Sequence, residues 1–321
     1  MQKFTLVPIF FLVFGLSALP ARGAAQLSQL DQFVVSHGYG GAQFVRAENT
    51  YRVPINANGK VGDLTIDTGA PSAVIFKASA KKFGLQPTET DVPVHGAFGK
   101  GKEKIGVVTI HQLTMGNLTL MNVKSAVLSD WYSGGLYRPY GLSDGLFGLR
   151  EMLRYGVVLD LASHLILAHP GGQLKGISDG IRSLLTKQGY TPVNLSIVDD
   201  HLQVPAVVNG TPCKLVVDTG AFLTVIDRQF SRQAKIGGRD TNIVSQGLGT
   251  NGRGISYAEF PELKIGDFAI KNASVTVSDL DVGISGGKSQ AAGLLGAEYL
   301  GLHGAIFDFN SGTLYLRPRK S

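Results

Sequence analysis

The chain has 321 residues, which is long enough for two domains that each bury a hydrophobic core. Only 17% of its residues are charged and 42 are glycine, a composition that is typical of turn-rich β structure and argues against a disordered chain or a coiled coil. The net charge of +6 lies in lysine and arginine clusters that lack the interleaved aromatic residues and the motifs of nucleic-acid-binding proteins, so we expect no nucleic-acid partner.

The first 23 residues have the parts of a secretory signal peptide. Lys3 provides the positive charge, an apolar stretch covers residues 4–19, and Ala21 and Gly23 are the small residues that determine cleavage. We therefore predict cleavage after Gly23, a periplasmic or secreted mature protein, and no membrane span. Because the apolar stretch is shorter than the roughly 20 residues of a membrane helix, an uncleaved N-terminal anchor is the alternative.

The rest of the chain contains one sequence pattern twice. Residues 53–70 align with residues 204–221 at an offset of 151, and both segments begin with Val-Pro and end with Asp-Thr-Gly-Ala. The similarity continues upstream and downstream with only small changes of offset. The internal duplication predicts a signal peptide at 1–23 followed by two equivalent lobes, at 24–172 and 173–321.

Each copy reads mostly as β structure. Short runs of β-branched and apolar residues alternate with Gly, Asn and Pro, as in antiparallel sheets. Helical spacing occurs only around residues 30–35 and 181–185 and just after Gly148 and Gly296. The predicted fold is therefore mainly β, with two similar lobes related by a pseudo-twofold axis and few short helices.

The two Asp-Thr-Gly-Ala sequences each lie in a tight turn between two apolar runs. One such sequence is common in ordinary β turns, whereas two at equivalent positions of a duplicated chain indicate a shared role. If Asp67 and Asp218 met at the axis, the two carboxyl groups would share one proton, because neighbouring like charges do not both ionise easily. Such a pair supplies an acid and a base, which is the chemistry of water-mediated peptide hydrolysis. Which aspartate holds the proton stays open.

A second element follows each Asp-Thr-Gly: Leu146-Phe147-Gly148 in the first copy and Leu294-Leu295-Gly296 in the second. Together these motifs resemble the retropepsin-like and pepsin-like aspartic proteases. The resemblance implies two β-barrel lobes, an aspartic endopeptidase with a polypeptide substrate, and catalysis by Asp67 and Asp218 without a metal or another cofactor. It also implies that the apolar-Gly elements pack beneath the catalytic loops.

The residues that follow each aspartate carry further implications of the resemblance. Thr68 and Thr219 would lock the two loops together, and Gly69 and Gly220 permit close backbone approach. Ala70 and Ala221 are typical of the retroviral type, whereas pepsins usually have Ser. A missing hydroxyl removes one hydrogen bond to the charged form and raises the pKa of the aspartate pair, so we predict a mildly acidic to near-neutral optimum.

A glycine-rich stretch lies between the two motifs of each copy and is a candidate substrate-covering flap, with an ordinary hairpin turn as the alternative. The candidate flap residues are Gly96, Ala97, Phe98 and Gly99 in the first copy and Gly247, Leu248 and Gly249 in the second. Two flaps favour the retroviral-like layout. The copies differ most before the second motif, where the first carries aromatic residues that would line the cleft or cover the local core: Trp131, Tyr132, Tyr137 and Tyr140.

The leading hypothesis is a monomeric single-chain endopeptidase. One alternative is a catalytically silent module that binds an extended peptide at its strand edges. Another is a dimer whose aspartate pairs form between chains. The single cysteine, Cys213, excludes an intramolecular disulfide and is predicted to be a small buried hydrophobe rather than a nucleophile.

Overall fold

The computed structural model describes residues 27–47, 49–96, 99–129, 143–245, 253–280 and 290–319. Within these ranges no helix is long and apolar enough to cross a membrane. Several sequence predictions concern residues outside the described ranges: the signal peptide, the flap residues Ala97, Phe98, Gly247, Leu248 and Gly249, and the aromatic residues Trp131, Tyr132, Tyr137 and Tyr140.

The first lobe is built from eleven strands and three helices in the described part. The strands are β1 (Gly40–Gln43), β2 (Val45–Ala47), β3 (Thr50–Ala57), β4 (Lys60–Ile66), β5 (Val74–Phe76), β6 (Thr88–Gly96), β7 (Gly99–Met115), β8 (Leu118–Leu128), β9 (Gly145–Phe147), β10 (Val158–Asp160) and β11 (Leu165–Ala168). The helices are α1 (Gln29–Ser36), α2 (Lys77–Lys82) and α3 (Leu149–Arg154).

The second lobe repeats this order. Its strands are β12 (Thr191–Asn194), β13 (Ser196–Val198), β14 (His201–Val208), β15 (Thr211–Val217), β16 (Val225–Asp227), β17 (Gly238–Ser245), β18 (Arg253–Ile265), β19 (Phe268–Ser278), β20 (Gly293–Leu295), β21 (Ile306–Asp308) and β22 (Thr313–Leu316). Its helices are α4 (Ser178–Lys187), α5 (Arg228–Gln233) and α6 (Ala297–Leu302). The prediction of a duplicated, mainly β fold with few short helices is confirmed.

Eight strands of each lobe form one strongly curved sheet. In the first lobe the order is β2-β3-β4-β9-β5-β8-β7-β6, and a further pairing of β3 with β7 closes the sheet on itself. The second lobe has the equivalent order and the equivalent closure of β14 on β18. Successive side chains of a strand point to opposite faces of the sheet, so every second residue of β3 lies in the interior of the lobe. These buried residues are Tyr51, Val53, Ile55 and Ala57.

Asn-Gly turns set the register of the hairpin that presents each candidate site. Asn58 and Gly59 connect β3 to β4, and Asn209 and Gly210 connect β14 to β15. All four have positive φ, between 47° and 85°. That is the backbone of a type I′ turn, for which Asn-Gly is the preferred pair. The strands that end just before Asp67 and Asp218 are therefore aligned by identical local chemistry.

A six-stranded sheet joins the lobes, in the order β1-β11-β10-β21-β22-β12. Three neighbouring strands come from each lobe, and β10 and β21 form the antiparallel pair at the centre, where Leu159 lies opposite Phe307. Both side chains are fully buried. Helices α1 and α4, which the helical spacing predicted, pack Leu30, Val34, Ile181 and Leu185 into a core cluster with residues of this sheet.

Candidate active site

Each Asp-Thr-Gly loop starts where a buried strand ends. β4 runs parallel to β9, and β15 runs parallel to β20. The backbone N–H of Asp67 donates to the Phe147 carbonyl and that of Asp218 donates to the Leu295 carbonyl, both at 3.0 Å. Phe147 and Leu295 are fully buried. The two predicted motifs of each lobe are thus neighbouring strands of one sheet.

The glycine of each second motif lies against the segment that follows the aspartate. A Cβ atom on Gly148 would clash with the Ser72 carbonyl, and one on Gly296 would clash with the Leu223 backbone. The next residue in each lobe then donates a backbone hydrogen bond of 2.8 Å, from Leu149 to the Ala70 carbonyl or from Ala297 to the Ala221 carbonyl. These contacts support each Asp-Thr-Gly loop on the side of its apolar-Gly motif.

The loop geometry orients both carboxyl groups in the same way. Oδ1 of Asp67 accepts hydrogen bonds from the backbone N–H groups of Gly69, at 2.9 Å, and Ala70, at 3.0 Å. Oδ1 of Asp218 accepts from Gly220, at 2.8 Å, and Ala221, at 3.0 Å. Because two backbone N–H groups donate to Oδ1 of each aspartate, the orientation of each side chain is fixed. Oδ2 of each aspartate takes no part in these loop hydrogen bonds.

The two loops meet. A Cβ atom on Gly69 would lie 2.5 Å from Cγ of Asp218, and one on Gly220 would lie 2.6 Å from Cγ of Asp67. Real Cβ atoms do not approach other atoms so closely, so glycine is required at both places. The structure therefore brings Asp67 and Asp218 together, and we call these two residues the dyad.

Thr68 and Thr219 join the loops reciprocally. The backbone N–H of each donates to the hydroxyl of the other at 3.0 Å. The Thr68 hydroxyl donates to the Val217 carbonyl at 2.8 Å, and the Thr219 hydroxyl donates to the Ile66 carbonyl at 2.7 Å. Both threonines are fully buried, so all four hydrogen bonds are shielded from water. The interlocking predicted for this pair is present.

Burial is the largest influence on the dyad and raises the pKa of both Asp67 and Asp218 above the usual range for aspartate. The charge of Asp218 raises the pKa of Asp67 further, whereas the loop N–H groups lower both pKa values by stabilising the charged form. The carboxyl groups also share a hydrogen bond, which raises the pKa of Asp67 and lowers that of Asp218. The dyad thus titrates as one unit that retains a proton at higher pH than an exposed aspartate.

Two glutamates support the loops, the buried Glu151 and the half-buried Glu298, and the sequence reasoning missed them. Glu151 accepts a hydrogen bond from the backbone N–H of Ala73 at 2.6 Å, and Glu298 accepts one from that of Thr224. Burial raises the pKa of both carboxyl groups. The two serve equivalent segments from non-equivalent positions, because Arg150 is the residue that aligns with Glu298. An acidic residue in the first turn of the helix after each apolar-Gly motif was the available signal.

The remaining site predictions have mixed outcomes. Gly96 and Gly99 pair with each other across the β6–β7 hairpin, and the other flap candidates lie outside the described residues.

Cys213 is half-buried against the core, and burial raises the pKa of its thiol to about 12, as expected for an unreactive side chain. Within the described ranges there is no group of three or more His, Cys, Asp or Glu residues that could hold a metal ion.

Comparison with known proteins gives one family match in each copy of the duplicated sequence. The model of the aspartyl protease family matches twice, at residues 53–150 and 204–299. No curated protein matches the chain significantly.

Among solved structures, a retropepsin-like aspartic protease from Rickettsia conorii is 21% identical, with 40% of this chain and 90% of that chain covered and a TM-score of 0.30. The EIAV protease in complex with the inhibitor HBY-793 is also 21% identical, with coverage of 31% and 85% and a TM-score of 0.25. Basic 7S globulin from soybean is 12% identical, with coverage of 87% and 94% and a TM-score of 0.44.

Proposed function

The chain belongs to the aspartyl protease family, and from this membership we propose that it is an endopeptidase that hydrolyses peptide bonds with Asp67 and Asp218. The observation that carries the proposal is the meeting of two half-buried carboxyl groups on matched loops, each loop held by its own apolar-Gly strand and by the other loop's threonine.

The proposed reaction uses the single proton of the dyad. The ionised carboxyl group removes a proton from a water molecule, whose oxygen then attacks the peptide carbonyl carbon. The protonated carboxyl group donates a hydrogen bond to the oxyanion that develops. The proton taken from water passes to the leaving amine as the C–N bond breaks, and this leaves one proton on the dyad for the next cycle.

Substitution of each aspartate tests this proposal. Asp67→Asn and Asp218→Asn each remove one member of the acid–base pair, so we expect the rate of casein or peptide-library cleavage to fall by about 10²- to 10⁴-fold in either variant. Asp267→Asn is the matched control, because this aspartate is exposed and lies in the turn between β18 and β19. A dyad variant that keeps the wild-type rate would contradict the proposal. A wild-type protein that binds library peptides and cleaves none would instead support the silent peptide-binding module.

The raised pKa of the dyad predicts the pH profile. The dyad must lose one of its two protons to become active, and burial moves that loss to higher pH, so we expect a mildly acidic to near-neutral optimum. The measurement is kcat/KM against pH with a peptide identified in the library. A maximum below about pH 3 would show that the pair titrates like exposed carboxyl groups, contrary to expectation.

We further propose that the chain acts as a monomer outside the cytoplasm. A monomer is supported by the origin of both catalytic aspartates in one chain, and an exported protein is supported by the signal-peptide pattern of residues 1–23. Light scattering of the active protein and mass spectrometry of its N-terminus test the two statements. A dimer, or an N-terminus that retains residues 1–23, would overturn the respective one.

A further inference from the structure

The two sides of the dyad differ in chemistry although its loops match. Thr65 lies two residues before Asp67, and Val216 lies two residues before Asp218. Alternate residues of a strand share a face, and the pairing of each strand with its apolar-Gly neighbour continues up to the aspartate. Thr65 therefore lies on the face of the sheet that carries Asp67, and Val216 lies on the face that carries Asp218. Equivalent positions beside the dyad hold a hydroxyl group in the first lobe and an apolar side chain in the second.

The hydroxyl of Thr65 begins a chain of hydrogen bonds that runs into the first lobe. It donates to Oγ of Ser143 at 2.9 Å, and the Ser143 hydroxyl donates to the Gly145 carbonyl at 2.9 Å. A hydroxyl group has one proton and two lone pairs, so both protons are used while Oγ1 of Thr65 is still able to accept. Thr65 is half-buried, and among the described residues no donor reaches this oxygen. The first lobe therefore presents a hydrogen-bond acceptor beside Asp67.

The second lobe has apolar groups at the equivalent places. Val216 packs in a cluster of buried hydrophobic residues that includes Leu294 and Ala291. Ala291 is the residue that aligns with Ser143 at the offset of the apolar-Gly motifs. Both hydroxyl groups of the first lobe are thus replaced by hydrocarbon, which neither donates nor accepts a hydrogen bond. The wall beside Asp218 is apolar where the wall beside Asp67 is polar.

An aromatic ring extends the apolar wall to the surface. Ala221 packs against the apolar cluster and donates its backbone N–H to Oδ1 of Asp218 at 3.0 Å, and the next residue, Phe222, is 48% exposed. Standard backbone dimensions place the Cα atom of Phe222 within about 9 Å of that oxygen, a distance that an extended peptide spans in about three residues. The Phe222 carbonyl accepts a hydrogen bond of 3.1 Å from the Asn49 side chain, so the first lobe holds this backbone in place. Pro71 is the equivalent residue of the first lobe and has no aromatic ring.

We propose that these differences make the cleft directional for a peptide substrate. On the Asp67 side the cleft binds a residue whose side chain donates a hydrogen bond to Thr65, and on the Asp218 side it binds an apolar residue that packs against Phe222. This inference rests on the proposed function and names the class of sequence that is cleaved. An apolar residue on the Asp67 side would leave the Thr65 oxygen desolvated without a donor, and a polar residue on the Asp218 side would gain no burial against the ring.

Two substitutions test the two sides separately on a peptide library. The wild type is expected to prefer Thr over the isosteric Val at one position on one side of the cleaved bond, and apolar residues at one position on the other side. Thr65→Val removes the acceptor and keeps the shape, so we expect the ratio of kcat/KM for Thr over Val to fall about fivefold. Phe222→Ser removes the ring, so we expect the preference for apolar residues to fall about tenfold. Each variant is expected to change its own side only.

Two matched controls exclude a general effect of the substitutions. Thr114→Val removes a hydroxyl from another pair in the first lobe, in which the oxygens of Thr114 and Thr119 are 3.3 Å apart next to the β7–β8 turn. Met121→Ser removes an apolar side chain of β8 that is 55% exposed. Both controls are expected to keep the wild-type cleavage preferences. If the wild type cleaves peptides and either Thr65→Val or Phe222→Ser keeps the wild-type preference on its own side, the directional cleft is wrong and the proposed function stands.

Peptide binding provides a readout that does not depend on turnover. If the wild type cleaves nothing, the proposed function fails, and the composition of the library peptides retained by the immobilised protein decides the inference. A lower ratio of Thr to Val in the peptides retained by Thr65→Val, together with a lower apolar content in those retained by Phe222→Ser, would support the two binding sides. Retained peptides of unchanged composition in either variant would overturn the inference.

Discussion

At the scale of single residues, each half of the site is completed by the other half. Asp67 takes two hydrogen bonds from its own loop, and its carboxyl group lies against Gly220 of the second loop; Asp218 and Gly69 have the same relation. Neither loop could carry a larger residue at the glycine without displacing the opposite carboxyl group. The glycines therefore determine how closely the two carboxyl groups of the dyad approach.

Gly69→Ala tests this relation. The added methyl group would overlap the Asp218 carboxyl group and move it by about 1 Å, a displacement that typically costs about 10²-fold in rate. We expect kcat/KM to fall by that order while circular dichroism shows a folded protein. Gly237→Ala is the control, since no atom lies within 4 Å of the position its Cβ would take. Equal activity of both variants would show that the loops do not approach as described.

At the scale of elements, the reciprocal threonine hydrogen bonds connect the ends of β4 and β15, which carry the dyad from different lobes. Each hydroxyl accepts from the backbone N–H of the other loop and donates to the last carbonyl of the strand that leads into that other loop. Glu151 and Glu298 anchor the segments that follow the loops in a similar way, from helices α3 and α6. The Asp-Thr-Gly loops are thereby held by the opposite loop and by helices α3 and α6 as well as by their own turn hydrogen bonds.

Thr219→Val tests how much the reciprocal threonine hydrogen bonds stabilise the protein. The isosteric side chain keeps the packing but leaves the Thr68 N–H and the Ile66 carbonyl buried without a partner, at a cost of about 1–3 kcal/mol each. We expect the midpoint of urea unfolding to fall accordingly. Thr219→Ser keeps the hydroxyl and loses one methyl group, so its expected loss is only about 1 kcal/mol. The opposite ranking of the two variants would contradict a stabilising role for the hydroxyl.

At the scale of the whole molecule, the six-stranded sheet sets how the lobes face each other. Its central pair, β10 and β21, places Leu159 opposite Phe307 in the buried middle of the sheet, midway between two sets of three strands. Because the lobes contact through this sheet and through the threonine pair, any change of lobe orientation also moves one aspartate relative to the other. Residues far from the dyad in sequence are therefore expected to affect both the stability of the fold and the proposed activity.

Phe307→Ala is expected to show this coupling. Removal of a fully buried phenylalanine ring typically costs about 3–5 kcal/mol, and the relaxation that follows would shift β21 against β10. We expect a lower free energy of unfolding together with a lower kcat/KM under conditions where the variant is folded. For stability, Phe222→Ala is the control: its ring is 48% exposed, and the expected change lies within about 0.5 kcal/mol. A Phe307→Ala variant as stable as this control would contradict a stabilising role of the six-stranded sheet.

The sequence by itself determined the duplication, the mainly β class, the helices α1 and α4 and the identity of the two aspartates with their Thr, Gly and apolar-Gly partners. These features are local patterns of hydrophobicity and turn chemistry, and a second copy at a constant offset makes weak motifs specific. Only the tertiary structure decided that Asp67 and Asp218 meet and that Glu151 and Glu298 support equivalent segments from non-equivalent positions. The reason is physical: strands of three or four residues that pair across 150 positions leave no local periodicity, so their partners follow from the packing of the whole chain.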